Sequence, residues 1–103
     1  MEKLIYYRSR YEADGSTAII AVEESTGEQY ATVSVCLVDQ GDKPQNENCI
    51  FIPAYNFSKA ALDTFMTDLV KRVIRTIQIG FGTGLEVELK DNWKEICKDV
   101  SEA

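Results

Sequence analysis

Histidine is absent from the 103 residues. That removes the commonest general base and metal ligand, so no Cys–His or Ser–His nucleophile exists within this chain. No D-x-D or E-x-x-E array sets carboxylates at ligand spacing, and neither enzymatic activity nor a metal or other cofactor is expected. No apolar run approaches the ~20 residues of a membrane span. The start, MEKLIYYRSRYE, lacks an apolar segment followed by a small-residue cleavage site. The expectation is a cytoplasmic protein without membrane contact, in which the glycosylation pattern Asn56-Phe57-Ser58 is a chance match. Cys36, Cys49 and Cys97 are odd in number, have no C-x-x-C spacing and lie in apolar patterns, which points to reduced, buried thiols. The glycines of GFGTG lack both the G-x-G-x-x-G spacing and a following Lys-Ser/Thr, so they are not a phosphate cradle. There is no internal repeat or low-complexity segment.

Hydrophobic residues make up 45% of the chain, enough for a folded core, and the length suits a single domain over 1–103. The organising stretch is 27–39, GEQYATVSVCLVD. Ala31, Val33, Val35 and Leu37 take one side of a pleat there, and Tyr30, Thr32, Ser34, Cys36 and Val38 the other, so a strand covered on both faces is expected. Ahead of it, 4–11 (LIYYRSRY) reads as an edge strand with Arg8 and Arg10 facing water. EADGS at 12–16 is turn chemistry, and 17–24 is a second strand reversed by Ser25-Thr26-Gly27 into a hairpin with the organising stretch. The polar run QGDKPQNEN at 40–48 is a solvated loop. The segment 49–52 returns to strand character, and Pro53 ends it.

The next stretch has a helical period. Ser58 suits an N-cap, and Leu62, Phe65, Met66, Leu69, Val70 and Val73 recur at three- and four-residue spacings, predicting a helix over 58–73 with Lys71, Arg72 and Arg75 at its C-terminal end. In 74–90 (IRTIQIGFGTGLEVELK) the apolar residues share one parity, and Gln78, Gly80, Gly82, Gly84, Glu86 and Glu88 share the other. One long strand bent at its glycines and a hairpin looping at 81–84 both fit, with Glu86 and Glu88 on a solvent face. Asn92 and Glu95 have capping-box spacing, and Trp93, Ile96, Cys97 and Val100 form the stripe of a short C-terminal helix. The expected architecture is α+β: a curved, mainly antiparallel sheet of about five strands packed on one long helix, with the Trp93 helix as a second cover.

The net charge is −6, unevenly spread. Eight acids (Glu12, Asp14, Glu23, Glu24, Glu28, Asp39, Asp42, Glu47) face the single base Lys43 between positions 12 and 47, a net of −7. One reading is a surface that keeps a small protein soluble. The sharper one is an acidic face complementary to a basic channel on a partner protein, contacted through Glu23, Glu24, Glu28, Asp39, Asp42 and Glu47.

GSTAIIAVEESTGEQYATVSVCL, then ENCIFI with Tyr55-Asn56, and later R-x-I-Q-x-G-F, resemble a family of small domains of unknown function carried on bacterial plasmids, conjugative elements and phages. Gly27, Glu28, Tyr30, Ala31, Thr32, Val33, Ser34, Val35 and Leu37 match its G-E-x-Y-A-T-x-[ST]-V-x-L strand. Glu47, Asn48, Cys49 and Ile50 lie on its E-N-C-x-[FI] strand. The likeness runs from about residue 15 to 90, fits poorly over 58–73, and carries no residue of assigned role. Small acidic proteins of this kind include inhibitors of CRISPR nucleases, and the chain is similar to type II anti-CRISPR proteins. That resemblance implies stoichiometric binding to a host Cas9-type effector, blocking guide RNA loading or DNA access, without direct nucleic-acid binding. The alternatives are a non-inhibitory accessory module of a mobile element and a metal-dependent nuclease.

Overall fold

The computed structural model describes residues 3–102. Strands β1 (Leu4–Arg10) and β2 (Thr17–Glu23) form an antiparallel hairpin with unbroken pairing from Leu4↔Glu23 to Arg10↔Thr17. Their turn is made by Gly15 in the left-handed region (φ 72°) and by the Asp14 carboxylate, which accepts the Ser16 N–H at 2.9 Å and its hydroxyl at 2.6 Å. Those two donations hold the Asp14 carboxyl below the usual carboxylate range.

The organising stretch is much less strand than its alternation suggests. Strand β3 covers only Gln29–Thr32 and pairs with β2. At Val33 the chain leaves the ladder. The N–H groups of Val33 and Ser34 both go to the Ile19 carbonyl, while the Ser34 hydroxyl accepts the Ile19 N–H in place of a backbone carbonyl. From there the chain crosses to a second sheet, touches it through a single bridge, Val35↔Phe51, and coils into a 3-10 turn at Val38–Gln40. Val33, Ser34 and Leu37 are buried as expected, but against different layers, because a chain with apolar residues on both parities can serve two sheets in succession.

Strand β4 (Cys49–Ile52) is buried at all four positions. Helix α1 spans Lys59–Leu69, with the Ser58 hydroxyl accepting from the Ala61 N–H at 3.1 Å. The predicted helix therefore starts where expected and stops four residues short. β-Branched side chains, unfavourable in helices and well suited to strands, crowd the sequence after Leu69, and Val70 already has extended geometry (φ −101°, ψ 129°). No basic cluster caps this helix. Lys90 does so from outside, its backbone N–H reaching the Leu69 carbonyl at 2.9 Å and its Nζ the Thr67 carbonyl at 2.7 Å. Lys71, Arg72 and Arg75 instead lie on β5 (Val70–Ile79).

A hairpin joins β5 to β6 (Gly82–Leu89). Its loop is Gly80-Phe81, one residue earlier than the 81–84 loop, and the positive φ of Gly80 (58°) at the first loop position suits a type II′ turn. After helix α2 (Trp93–Ile96), which is only one turn long, strand β7 (Cys97–Asp99) adds parallel to β1. β1 is therefore interior and not an edge. Arg8 accordingly turns from water, donating from Nε to the Cys97 carbonyl (3.1 Å) and from Nη1 to Asp99 (3.0 Å).

The architecture is α+β, with two mostly antiparallel sheets ordered β3-β2-β1-β7 and β4-β6-β5 in place of one five-stranded sheet, and a helix of 11 residues in place of a long one. The main core gathers Tyr6, Ile19 and Ala21 of the first sheet, Ile50, Ile52, Val87 and Leu89 of the second, and Ala61, Phe65 and Leu69 of α1. Trp93 and Cys97 join the same cluster. Cys97 and Cys49 are buried, Cys36 partly so, and desolvation pushes the Cys97 thiol up to about 12. The second sheet is covered on its outer face as well, where Leu37, Phe51 and Ile77 pack with Val35 and Ile79.

Gly82 and Gly84 leave room on that outer face. An added Cβ at Gly84 would lie 2.9 Å from the Ile52 carbonyl oxygen and 2.4 Å from Ile79 Cδ1; at Gly82 it would lie 2.4 Å from the exposed Tyr55 ring. Gly84→Ala should cost about 1–3 kcal/mol, since backbone stands in its way, and Gly82→Ala clearly less, since a surface ring can swing aside. Denaturant unfolding of the two variants checks this ranking.

Candidate protein-binding surface

The six acids expected at a partner contact occupy three separate places. Glu23, Glu24 and Glu28 lie together in the β2–β3 turn, closed by the Glu23 N–H to the Glu28 carbonyl (2.9 Å) and the Gly27 N–H to the Glu23 carbonyl (2.8 Å). Gly27 adopts φ 74°, and Thr26 Oγ1 accepts the Glu28 N–H. Glu24 reaches Lys3 at 3.6 Å, whereas Glu23 and Glu28 form no ion pair with any described residue. Three acids thus share this turn, with Lys3 the one cation paired to them among the described residues.

Asp39 lies within the 3-10 turn after Leu37, and Asp42 just beyond it. The Gln40 side-chain amide ties that turn to Asp42 (2.7 Å) and to the Gln78 carbonyl (2.9 Å), placing both carboxylates beside the end of the β5–β6 hairpin. Glu47 is at the far end of β2, where its carbonyl accepts from the Thr17 hydroxyl. Its carboxylate is held by Arg10 at 2.9 Å and Lys94 at 3.2 Å, and these two cations depress it below the usual range. Glu47 is thus a neutralised staple between β1 and α2.

Glu86, expected on a solvent face, is fully buried. It accepts from Arg75 Nε at 2.7 Å and from the Gln45 N–H at 3.0 Å, because residues 35–45 fold over that face of β6. Glu88 pairs with Arg72 at 2.6 Å and Lys71 with Asp91 at 3.0 Å, so the basic cluster of β5 is internally matched.

Beside the acidic turn, an open groove of ≈ 600 Å³ runs between Tyr30, Ala31 and Thr32 of β3 and Asn56, Phe57, Ser58 and Ala61 at the start of α1. Tyr30 is 40% exposed and packs edge-on against Phe65 at 6.3 Å. Sequence reasoning did not find this groove, whose walls are 24 or more residues apart in the chain. A hollow of ≈ 650 Å³ elsewhere contains the Tyr6 hydroxyl donating to Asp68 at 2.7 Å. Burial and that carboxylate drive the phenol upward, making it a poorer acid that links β1 to α1. Among the described residues no three metal-ligating side chains converge.

Arg75→Met strands a buried carboxylate, while Glu86→Gln leaves a half-exposed arginine that water can solvate. The first should lower the unfolding temperature by about 5 °C or more and the second by less, as differential scanning calorimetry can show. No protein-family model matches the chain, and no curated protein or solved structure matches it either.

Proposed function

We propose that this chain is a stoichiometric protein inhibitor of a host CRISPR effector of the Cas9 type, encoded by a bacterial mobile element or phage and acting in the host cytoplasm. The observation that carries the reading is the β2–β3 turn, where Glu23, Glu24 and Glu28 sit together with a single lysine among the described residues nearby to offset them. Glu28 belongs to the G-E-x-Y-A-T motif on which the resemblance rests, and Glu23 and Glu24 precede it. Effector nucleases hold guide and target in basic channels, and a local acidic projection would be drawn to such a channel, occluding RNA or DNA. Support also comes from the chain's chemistry: without histidine it offers binding surfaces more readily than proton-transfer groups. No described helix is long and apolar enough to cross a membrane.

The test is a Cas9 cleavage assay titrated with this protein, with the guide RNA followed on a gel. Cleavage should stop near one equivalent with the RNA intact; shortened RNA would indicate an enzyme, and cleavage unchanged at every ratio would sink the inhibitor reading. Reversing Glu23, Glu24 and Glu28 to Lys should weaken inhibition far more than reversing the exposed Glu95. The wild-type effect should fade as salt brings the Debye length to ~8 Å or less.

A further inference from the structure

Four strands end the two sheets, β3 and β7 in the first and β4 and β5 in the second. β4 is buried at all four positions and bridged by Val35, and β7 is only three residues long, which leaves β3 and β5 as the edges to compare. They are treated differently. β5 carries Lys71, Arg72 and Arg75, and its pairing with β6 is interrupted between Val70 and Arg72 and again between Val73 and Arg75. Charges and bulges of this kind prevent a free edge from templating another strand. β3 is QYAT, with no charged residue and no proline, and carries a single irregularity at Tyr30. Its free side opens into the groove walled by Asn56, Phe57 and Ser58.

Because the Val33 N–H donates to Ile19 on β2 and orientation alternates along a strand, the N–H and C=O of Thr32 face away from β2, toward the groove side. The irregularity at Tyr30 turns its ring onto Phe65, leaving a half-exposed aromatic beside that backbone. At the other end of the strand stand Glu23, Glu24 and Glu28.

We infer that the β3 edge is a docking site for an extended, basic segment of a partner protein, which adds as a further strand in the groove and places its cations against Glu24 and Glu28. Backbone pairing with Thr32 supplies the register, Tyr30 and Phe57 supply apolar contact for alternate side chains, and the glutamates select positive charge. A second copy of this chain fits poorly: pairing in parallel sets the same glutamates together, and pairing antiparallel sets the uncharged 33–38 and then Asp39 against them, so neither offers a cation. The inference deepens the inhibitor reading by naming the surface and the form of the partner segment, and it can be tested without a nuclease.

The probe is a short peptide of alternating lysine and threonine, titrated into isotope-labelled protein and followed by NMR. The expected result is that the amide signals of Gln29–Thr32 and of the facing residues 56–61 shift. Thr32→Pro, which removes an outward donor from an edge strand without touching the β2 ladder, should weaken binding about tenfold. Thr32→Val should bind normally, and a glutamate–threonine peptide should not bind. Absence of binding by the lysine peptide, binding indifferent to Thr32→Pro in a variant that melts normally, or shifts confined to another surface would each overturn the inference. If the peptide docks as described while cleavage is never inhibited, the groove stands and the nuclease reading falls. If cleavage stops near one equivalent, equally with Thr32→Pro, the nuclease reading stands and the groove falls.

Discussion

A carboxylate with no access to water constrains the second half of this fold. Glu86 sits in the middle strand of the β4-β6-β5 sheet, opposite Phe51, on a face shared with Leu37 and Ile77. An ionised carboxylate in such a place is sustained only by charge and hydrogen bonds delivered to it. Arg75 provides the charge, and it can do so because of how β5 is built. Arg72 and Arg75 are three residues apart, Glu88 and Glu86 only two. The pairing shift between Val73 and Arg75 absorbs the difference, so each arginine meets its glutamate across the ladder. The remaining donor, the Gln45 N–H, comes from the polar loop and fastens it over the same face. One buried group thus accounts for a bulge, for the matched charges of an edge strand and for the path of the loop across the sheet.

How far such features are legible from sequence depends on whether they are local. The strand Cys49–Ile52 and the Ser58 cap are local: an apolar run bounded by a polar loop and a proline, and a hydroxyl one residue before a helical period. The helix end is not. Val70 and Val73 continue the three- and four-residue spacing by coincidence, and what overrides the period is the preference of a β-branched run for a strand that has β6 to pair with. β7 is three residues long with no pattern of its own, and exists because Tyr6–Arg8 offers a free side to pair with.

The burial of Glu86 was hidden for a related reason. Its parity mates are glycines and another glutamate, which read as a solvent face, yet the glycines leave room for Ile79 and Tyr55 while residues 35–45 close over the rest. The organising stretch misleads in the opposite sense. Only the face of Ala31, Val33, Val35 and Leu37 is covered along its length, and by changing sheets at Val33, where Ser34 substitutes its hydroxyl for a ladder acceptor; Tyr30, Thr32 and Val38 of the other face stay exposed.

Charge is the property for which sequence and space diverge most. The −7 between positions 12 and 47 reads as one field in the chain, but β2, seven residues long, separates Glu23 from the end where Glu47 lies. At ~3.3 Å per residue that is roughly 20 Å, beyond twice the Debye length of ~8 Å at physiological salt. Glu47 is also neutralised by Arg10 and Lys94, and Asp42 lies within the influence of Arg75. What an approaching molecule meets at short range is therefore a concentrated charge at the β2–β3 turn, next to an uncharged strand edge. Attraction at the turn speeds encounter and favours positive partners, whereas the open backbone of β3 reads no side-chain sign at all. In the docking proposed above, specificity for a basic strand would arise only where the two adjoin, and the short Gly27 turn keeps them adjoining.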